Sequence, residues 1–372
     1  MIDLKQTDHA VLAEIDAKRA ALASAISELG LSAVELRRTE NIAWLTAGRV
    51  DSRVLLPSTF GIASILLLAS GDGYYLTAEN EAPRLAAEDF RGLPFQAITA
   101  PWTAPHFSAK VRTLTAGKVE TDSDPRVDAC LRRLRSSLVS TEQERYRWLG
   151  AQTAGITAEV LEQLAPGITE REMAAKLVAR LIERGVEPSV LLIAADDRIL
   201  RYKHAVMQNA TLERFGMLNL CTRRWGLVVS ITRFVHFGPM PQELQDGFAA
   251  AALVHARLAA ATQPGTSAAD LYQIAVQGYA DAGFPGEERY HHQGGATGYG
   301  EREWLATPTA TEKVALNQGF AWNPSVHGGK VEDTVLLGTD GRLETLTKTP
   351  SLPLVTTRAG ELTVESAGVL LR

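Results

Sequence analysis

The sequence predicts an α/β protein with two domains, on the evidence of two patterns. Roughly the first 135 residues alternate between helical and strand-like runs, which is typical of an α/β domain. The second half contains two similar helical segments that lie 98 residues apart. A chain of 372 residues, 45% apolar and 22% charged, has the composition of a globular protein and is long enough for two cores.

Helical and strand-like runs can be followed in order through the N-terminal part. A helix is predicted near residues 8–29, ending at Gly30. Strand-like runs follow with the sequences SAVEL, NIAWLT, ASILLLAS, GDGYYLTA and KVETD. The Gly-Asp-Gly at the start of the fourth run indicates a hairpin turn. A helix rich in leucine and arginine is then predicted at about 125–137.

The chain changes character at RSSLVSTEQERYRW. Ser140 and Gln143 have the spacing of a capping box, which predicts a long helix that runs to about Leu164. We therefore place a domain boundary here, with an N-terminal domain over 1–138 and a second domain over 139–372.

The second domain contains an internal repeat. APGITEREMAAKLVARLIERG starts at Ala165, and QPGTSAADLYQIAVQGYADAG starts at Gln263. Both copies follow a long helix, and both have a Pro-Gly turn, a Ser/Thr cap, a helix of about four turns and a terminal glycine. The repeat predicts a domain with pseudo-two-fold symmetry, in which two helix pairs back one sheet and a pocket lies between the halves.

Charge and cysteine content exclude several classes of function. The net charge is −5 without a long basic or acidic run, so we expect neither nucleic acid nor a membrane surface as a partner. Cys130 and Cys221 have no metal-ligand spacing, which favours a reduced, cytoplasmic protein. The N-terminus is charged throughout and does not resemble a signal peptide. No run approaches the roughly 18 apolar residues of a membrane helix.

The stretch AWNPSVHGGKVEDTVLL, residues 321–337, is typical of a strand pair that carries functional side chains. Two apolar arms flank a polar centre with a Gly-Gly turn. The polar centre consists of Asn323, Ser325, His327, Lys330, Glu332 and Asp333. A centre of this kind suits a metal site, yet an amide occupies the position where an acid is expected.

Six stretches, in this order, resemble the creatinase, prolidase and methionine aminopeptidase family. NIAWLTAG is similar to the NIxYLTG stretch of its N-terminal domain, and STEQERYRWLGAQ to the entry into its catalytic half. GMLNLCTRRWGLVVSITR, GGATGYGERE, NQGFAWNPS and GGKVEDTVLL are similar to its catalytic motifs. The resemblance covers essentially the whole chain. It implies a creatinase/prolidase-type α/β domain followed by a pita-bread domain, and a homodimer.

The resemblance also implies where two divalent metal ions would bind. The family's peptidases use two aspartates, a histidine and two glutamates. The matching positions here are Asn219, Ser230, Gly295, Asn323 and Glu332. Only Glu332 keeps the residue type that the family uses as a ligand. The four replacements are neutral and do not supply the negative charge that holds two dications about 3.5–4 Å apart. We therefore expect no metal and no other cofactor.

A rebuilt single-zinc site is an alternative. His291 and His292 precede the glycine-rich stretch, and His327 lies between Asn323 and Glu332. Two histidines and a glutamate suit one zinc ion. Adjacent residues on a strand point to opposite faces, however, so at most one of the pair would face a given site. We expect these histidines to line the mouth of a pocket instead.

His204 and Glu332 are the candidate catalytic residues. His204 occupies the position of the histidine that the family places beside its substrate, and the resemblance to metal-free creatinase implies a general acid and base for C–N hydrolysis. An imidazole titrates near neutral pH, which suits that role. Glu332 would orient water or bind a cationic group. The alternatives are a surface histidine, and a buried carboxylate paired with Lys330 or Arg233.

The remaining polar residues are candidates for binding a polar small molecule or short peptide. Amides keep the shape of carboxylates without their mutual repulsion and offer both donors and acceptors. An arginine at 302 suits a substrate carboxylate, unless it pairs with Glu303. Arg53, after NIAWLTAG, would reach a substrate across a dimer contact, or lie in solvent. The predicted binding residues are Asn219, Ser230, Asn323, Ser325, Arg302, Glu303, His292, His327 and Arg53.

Three functions fit this sequence. The first is a metal-independent hydrolase of a small C–N substrate, amide or amidino, with His204 as acid and base. The second is a non-catalytic ligand- or peptide-binding module, since histone chaperones reuse this fold without metal. The third is a conventional Xaa-Pro peptidase, against which the replaced ligands argue. We favour the first.

Overall fold

The computed structural model describes residues 9–115 and 117–372. They form two compact units. The first runs to Glu142 and also includes Trp225–Leu227, and the second comprises Gln143–Arg224 and Val228–Arg372. In the described part of the chain, no helix is both long and apolar enough to cross a membrane.

The first unit is built around a five-stranded sheet with strand order β4-β3-β2-β1-β5. The inner strands pair antiparallel, and the outer strands pair parallel to their neighbours. In chain order its elements are α1 (His9–Glu28), β1 (Ala33–Arg38), α2 (Thr39–Leu45), β2 (Phe60–Leu68), β3 (Gly73–Ala78), α3 (Ala82–Ala87), β4 (Gln96–Ala100), α4 (Ser108–Leu114), β5 (Val119–Thr121) and α5 (Pro125–Ser136).

Most predicted elements of this unit are present, including the hairpin between β2 and β3, where Gly71 has a φ of 90°. The predicted strand NIAWLT is wrong, because these residues belong to α2 and the turn after it. The Asp122 carboxylate accepts hydrogen bonds from the Arg37 and Arg38 N–H groups and from Asn41 Nδ2. These hydrogen bonds to a distant residue fix the point at which the chain passes from β1 into α2. Because α2 is short and buried on nearly all sides, its sequence shows no helical periodicity and resembles that of a strand.

The second unit follows with α6 (Ser140–Glu162), whose first turn lies in the first unit. The predicted start is confirmed, but the Ser140–Gln143 capping box is not the contact observed. Glu142 accepts the Val139 N–H at 2.8 Å, whereas Gln143 donates to the Asn317 side chain at 3.1 Å. The cap therefore lies one residue earlier than predicted.

The other elements of the second unit form two main sheets and a hairpin. The strand orders are β16-β8-β7-β6 and β10-β9-β11-β12-β13, with β14 and β15 paired separately. The elements are α7 (Glu170–Glu183), β6 (Glu187–Ala195), α8 (Asp197–Arg201), β7 (Phe215–Arg224), β8 (Leu227–His236), α9 (Gln242–Ala261), α10 (Ala268–Asp281), a 3₁₀ helix (Glu287–Arg289), β9 (Gly294–Thr297), β10 (Trp304–Leu305), β11 (Gln318–Trp322), β12 (Asp333–Leu337), β13 (Leu343–Thr345), β14 (Leu354–Ala359), β15 (Leu362–Ala367) and β16 (Leu370–Leu371).

The predicted internal repeat is confirmed. Helices α7 and α10 each have 14 residues and begin 98 residues apart. Thr169 caps the first, accepting the Glu172 N–H, and Ser267 caps the second, accepting the Asp270 N–H. Both caps follow a Pro-Gly turn whose glycine has a left-handed φ, as only glycine adopts readily.

The single sheet predicted for this domain is instead two adjoining sheets. The Ser230 N–H on β8 donates to the Thr334 hydroxyl on β12 at 2.7 Å, so a side chain replaces the backbone partner there. Two residues on, the Thr232 N–H donates to the Glu332 carbonyl at 3.3 Å. The two halves of the repeat therefore meet along β8 and β12, where the polar residues of both halves converge.

Candidate active site

A cavity of about 430 Å³ lies in the second unit, lined by strands β6 and β7 of one sheet and by loops that flank the strands of the other. Asn219 and Cys221 lie two residues apart on β7 and therefore point to the same face of the sheet. The loops before β10 and β12 supply the charged groups of the lining. Six of the predicted site residues line the cavity: His204, Asn219, His292, Arg302, Asn323 and Glu332.

Glu332 is the centre of the charged network. Its Oε2 accepts hydrogen bonds from Asn219 Nδ2 at 2.5 Å and from the Thr232 hydroxyl at 2.5 Å. Lys330 Nζ lies 3.0 Å from the same oxygen, and Arg302 Nη2 lies 3.8 Å from Oε1. The carboxylate is only 3% exposed, so it is buried and paired, with its hydrogen bonds concentrated on Oε2. The alternative in which Glu332 pairs with Lys330 is the arrangement observed.

The ionisation of Glu332 follows from these contacts. Burial opposes the charge, but Lys330, Arg302 and the Thr232 hydroxyl outweigh it and hold the pKa of Glu332 below its usual range. One carboxylate thus faces two cations, and the exposed Glu301, which also lines the cavity, balances the second positive charge. A polar ligand with both donor and acceptor groups fits such a cavity.

Replacement of Glu332 by glutamine tests this network through the pH dependence of stability. A folded-state pKa below the unfolded value of about 4.3 gives a contribution that is complete above that pH and disappears as the pH falls through the folded pKa. We expect Glu332→Gln to lower the free energy of unfolding by about 2–3 kcal/mol at pH 7, because it leaves two cations unneutralised. The deficit shrinks below about pH 4.

Urea denaturation at pH 7 and at pH 3, followed by circular dichroism, measures both values. Glu344→Gln is the matched control, because Glu344 forms an exposed pair with Arg147. An equal deficit at the two pH values would contradict the assigned ionisation of Glu332.

The side chains at three other positions where the family places metal ligands have the following surroundings. Ser230 is buried, with its hydroxyl 3.1 Å from Cys221 Sγ and 3.2 Å from Arg302 Nη1. Asn323 is buried and its Oδ1 has no hydrogen-bond partner, so this oxygen is available to a ligand. At Gly295 a Cβ would lie 2.0 Å from the Trp304 carbonyl oxygen. A histidine at 295 would therefore require strand β10 to move.

Three histidines, which we call the histidine cluster, lie together: His204 after α8, and His291 and His292 before β9. One ligand nitrogen from each lies within 4.8 Å of the others. The Nε2 atoms of His204 and His291 are 3.0 Å apart, and the rings of His291 and His292 stack with centroids 4.5 Å apart. The prediction that His291 and His292 point to opposite faces is wrong, because both precede the strand and neither lies within it.

Burial keeps the histidine cluster neutral. It is the main cause that lowers the pKa of all three imidazoles, and Lys330 lowers each of them further. The pKa of His292 falls to about 4, and that of His291 falls well below its ordinary value. His204 is exposed, and the nearby Glu332 carboxylate acts in the opposite direction, raising the pKa of its imidazole. An imidazole that is neutral at pH 7 can accept a proton or a metal ion.

Asp333 faces away from the cavity, as the alternation along β12 predicts. Its carboxylate lies 2.7 Å from Arg233 Nη2 and accepts the Thr347 hydroxyl at 2.7 Å. Arg233 also donates to the carbonyls of Thr232, Glu332 and Thr347. This buried pair fixes the backbone on which Glu332 stands.

The remaining predicted residues have separate positions. Glu303 is buried and accepts the Gly300 N–H at 2.9 Å, and Arg302 Nη2 lies 3.8 Å from Glu332 Oε1. Ser325 is buried with an unpartnered hydroxyl. His327 is exposed and lines a neighbouring cavity with His204. Arg53 belongs to the first unit, where it bonds Asp51 and the Leu56 carbonyl. Its role across a dimer contact stays a prediction.

Sequence reasoning gave too little weight to three residues. Lys330 and Thr232 each lie two residues from a predicted site residue, and an alternating strand places such neighbours on the same face. That spacing was a usable signal for both. His291 carried no such signal, because its position depends on a loop held by Gln293, whose amide donates to the His291 carbonyl.

The comparisons with known proteins agree with this architecture. The sequence model of metallopeptidase family M24 matches residues 144–338. The fold is similar to the prolidase from Pyrococcus horikoshii OT3, at 18% identity over 90% of this chain and 98% of that one, with a TM-score of 0.72. It is also similar to the X-Pro aminopeptidase from Thermotoga maritima MSB8, at 17% identity over 95% and 99%, with a TM-score of 0.73.

A third similar structure is the N-terminal domain of FACT complex subunit SPT16 from Cicer arietinum, at 11% identity over 91% of this chain and 97% of that one, with a TM-score of 0.64. A search of curated protein sequences found no significant match. At these identities the likeness shows a shared fold. The predicted creatinase/prolidase-type domain followed by a pita-bread domain is thereby confirmed.

Proposed function

The chain belongs to metallopeptidase family M24, and on that basis we propose that its cavity is the active site of a hydrolase that works without the family's dinuclear metal centre. The proposed substrate is a small molecule with a C–N bond, either an amide or an amidine. His204 acts as general base and acid. Glu332 acts as a positioning residue, since its contacts are with Lys330, Asn219 and Thr232.

The observation that carries this proposal is the state of Glu332. In a dinuclear site the oxygens of Glu332 would face metal ions. Here its Oε2 accepts hydrogen bonds from the Asn219 amide and the Thr232 hydroxyl and faces the Lys330 ammonium group. Asn219, Ser230, Gly295 and Asn323 add no negative charge. This donor set does not fit two dications, because bridging carboxylates are what neutralise them. Lys330 and Arg302 supply positive charge at Glu332 instead.

The cavity has groups for each part of such a reaction. The neutral imidazole of His204 takes a proton from water while the water oxygen bonds to the amide or amidine carbon. Negative charge that develops on the substrate is stabilised by Lys330 or Arg302. When the C–N bond breaks, the protonated His204 returns its proton to the leaving nitrogen. One water is consumed and the imidazole is regenerated.

The cations Lys330 and Arg302 and the free Asn323 Oδ1 support a substrate with both an acceptor or anionic group and an N–H donor. Arg302 is the proposed partner of a substrate carboxylate, although it must exchange its contact with Ser230 to bind it bidentately. We propose further that the protein acts as a cytoplasmic homodimer, with Arg53 contributed by the second copy. The family resemblance supports the dimer.

The substrate class is tested by a hydrolysis screen on protein stripped of metal with a strong chelator. The panel contains Xaa-Pro dipeptides, N-acyl amino acids and small guanidino or amidino carboxylates, and released amine is measured. We expect turnover of a small non-peptide member and the same rate with chelator present. Turnover of Xaa-Pro dipeptides only after addition of Mn²⁺ or Co²⁺ would reject the proposal in favour of a conventional peptidase.

A non-catalytic binding module is the second candidate, and the pairing of Glu332 with Lys330 favours it. A carboxylate that is ion-paired, and one of whose oxygens already accepts an amide and a hydroxyl, is poorly placed to activate water. Binding of a panel member without turnover, retained in His204→Gln, would support this function and overturn the hydrolase proposal.

A further inference from the structure

We propose that His204, His291 and His292 bind a single zinc ion, at a site distinct from the five positions where the family places its metal ligands. None of those five positions belongs to the histidine cluster. Imidazole nitrogen is a common zinc ligand, and three protein ligands with a fourth open position form the usual arrangement of a zinc ion that remains accessible to water.

The geometry of the cluster is close to that of a three-histidine site. With Zn–N bonds of 2.0–2.1 Å, the nitrogens of a tetrahedral site lie about 3.3 Å apart. The Nε2 atoms of His204 and His291 are 3.0 Å apart, and all three ligand atoms lie within 4.8 Å of one another. Small rotations of exposed His204 and half-buried His292 would close the site around an ion.

An unpartnered nitrogen supports a ligand at this place. His292 Nδ1 is buried without a hydrogen-bond partner and is a candidate ligand atom, whereas the unpartnered Nδ1 of His291 lies across the ring from the Nε2 that faces His204. A buried ring nitrogen without a partner costs free energy, which a metal ion or a bound water would offset. Burial also keeps these imidazoles neutral at pH 7, the state that a metal ion requires.

The surroundings hold the cluster in place. The Gln293 amide donates to the His291 carbonyl, and Gln293 Oε1 accepts the Tyr279 hydroxyl at 2.5 Å. Tyr279 in turn accepts the Ser325 N–H at 2.8 Å. A chain of buried hydrogen bonds thus fixes the backbone of His291.

The nearest cations do not exclude a dication. Lys203 Nζ lies 3.0 Å from the Glu287 carboxylate, and Lys330 Nζ lies 3.0 Å from that of Glu332. Each ammonium is therefore paired with an acid. Glu332 also acts electrostatically in favour of positive charge on His204 and His292. Arg302 disfavours positive charge on His292, and Glu301 in the lining of the same cavity balances it, so the charges of these six ionised side chains sum to zero.

Zinc binding here does not depend on whether the cavity hydrolyses a substrate. The two proposals nevertheless interact, because an ion bound to His204 occupies the lone pair that the proposed base needs. We therefore expect Zn²⁺ to inhibit the metal-independent reaction, and chelation to restore it.

The site is tested by titrating metal-free full-length protein with Zn²⁺ by calorimetry and with Co²⁺ by visible absorption. We expect one ion per chain and the intense d–d bands of four-coordinate Co²⁺. His204→Ala and His291→Ala should each weaken binding more than about 100-fold, since loss of outer-sphere contacts alone typically costs 10–100-fold. His327→Ala is the matched control, because His327 is exposed and lies outside the cluster.

His204→Ala decides the outcome if the buried His291 variant does not fold. No binding by the wild type, or equal binding by His204→Ala, would overturn the site. Because no substrate is needed, a negative result here leaves the hydrolase proposal standing. Zinc binding without turnover of any substrate in the screen would support the zinc site and overturn the hydrolase proposal.

Discussion

Replacement of Arg233 by methionine is expected to lower the free energy of unfolding of the second unit by about 3–5 kcal/mol. The Arg233 side chain is 2% exposed and donates five hydrogen bonds, to Asp333, the Thr349 hydroxyl and three backbone carbonyls. Methionine fills similar volume but makes none of these bonds. The Asp333 charge and the carbonyls would then be buried without their partner.

The measurement is urea denaturation at pH 7, followed by circular dichroism. Arg342→Met is the matched control, because the Arg342 side chain is 90% exposed, and it should change stability by less than about 0.5 kcal/mol. The double variant Arg233→Met with Asp333→Leu should recover part of the loss, since it no longer leaves a buried carboxylate unpaired. A single variant as stable as the wild type would show that Arg233 does not hold the two sheets together.

Replacement of His204 by glutamine is expected to lower kcat/KM by about 10²–10⁴-fold for any substrate found in the hydrolysis screen. Glutamine keeps a polar side chain of similar reach but cannot exchange a proton near pH 7. His204 is exposed, so this change should leave the fold intact. Initial rates of amine release over a range of substrate concentrations give kcat and KM separately.

His327→Gln is the matched control for this variant. His327 lines the cavity next to the proposed active site and, like His204, is exposed, yet it lies outside the histidine cluster. We expect it to keep wild-type kcat. A loss confined to KM in His204→Gln would assign His204 to substrate binding, and the proposed acid–base role would be wrong.

The sequence determined the parts of this protein that depend on local patterns and on spacing. The repeat of capped helices, the long helix from Ser140 and the strand pair around Glu332 were predicted, because turns, caps and alternation act over a few residues. The strand predicted at NIAWLT failed because its helical form depends on Asp122, some eighty residues away.

The candidate site divides in the same way. That Asn219, Ser230, Asn323 and Glu332 belong together was predictable from motif order, and their lack of negative charge was evident from the residue types. Only the tertiary structure decided that Glu332 is ion-paired with Lys330, and that His204, His291 and His292 lie close together. The former depends on distances of a few ångströms. The latter depends on a loop backbone held by buried hydrogen bonds, and alternation along a strand does not apply to a loop.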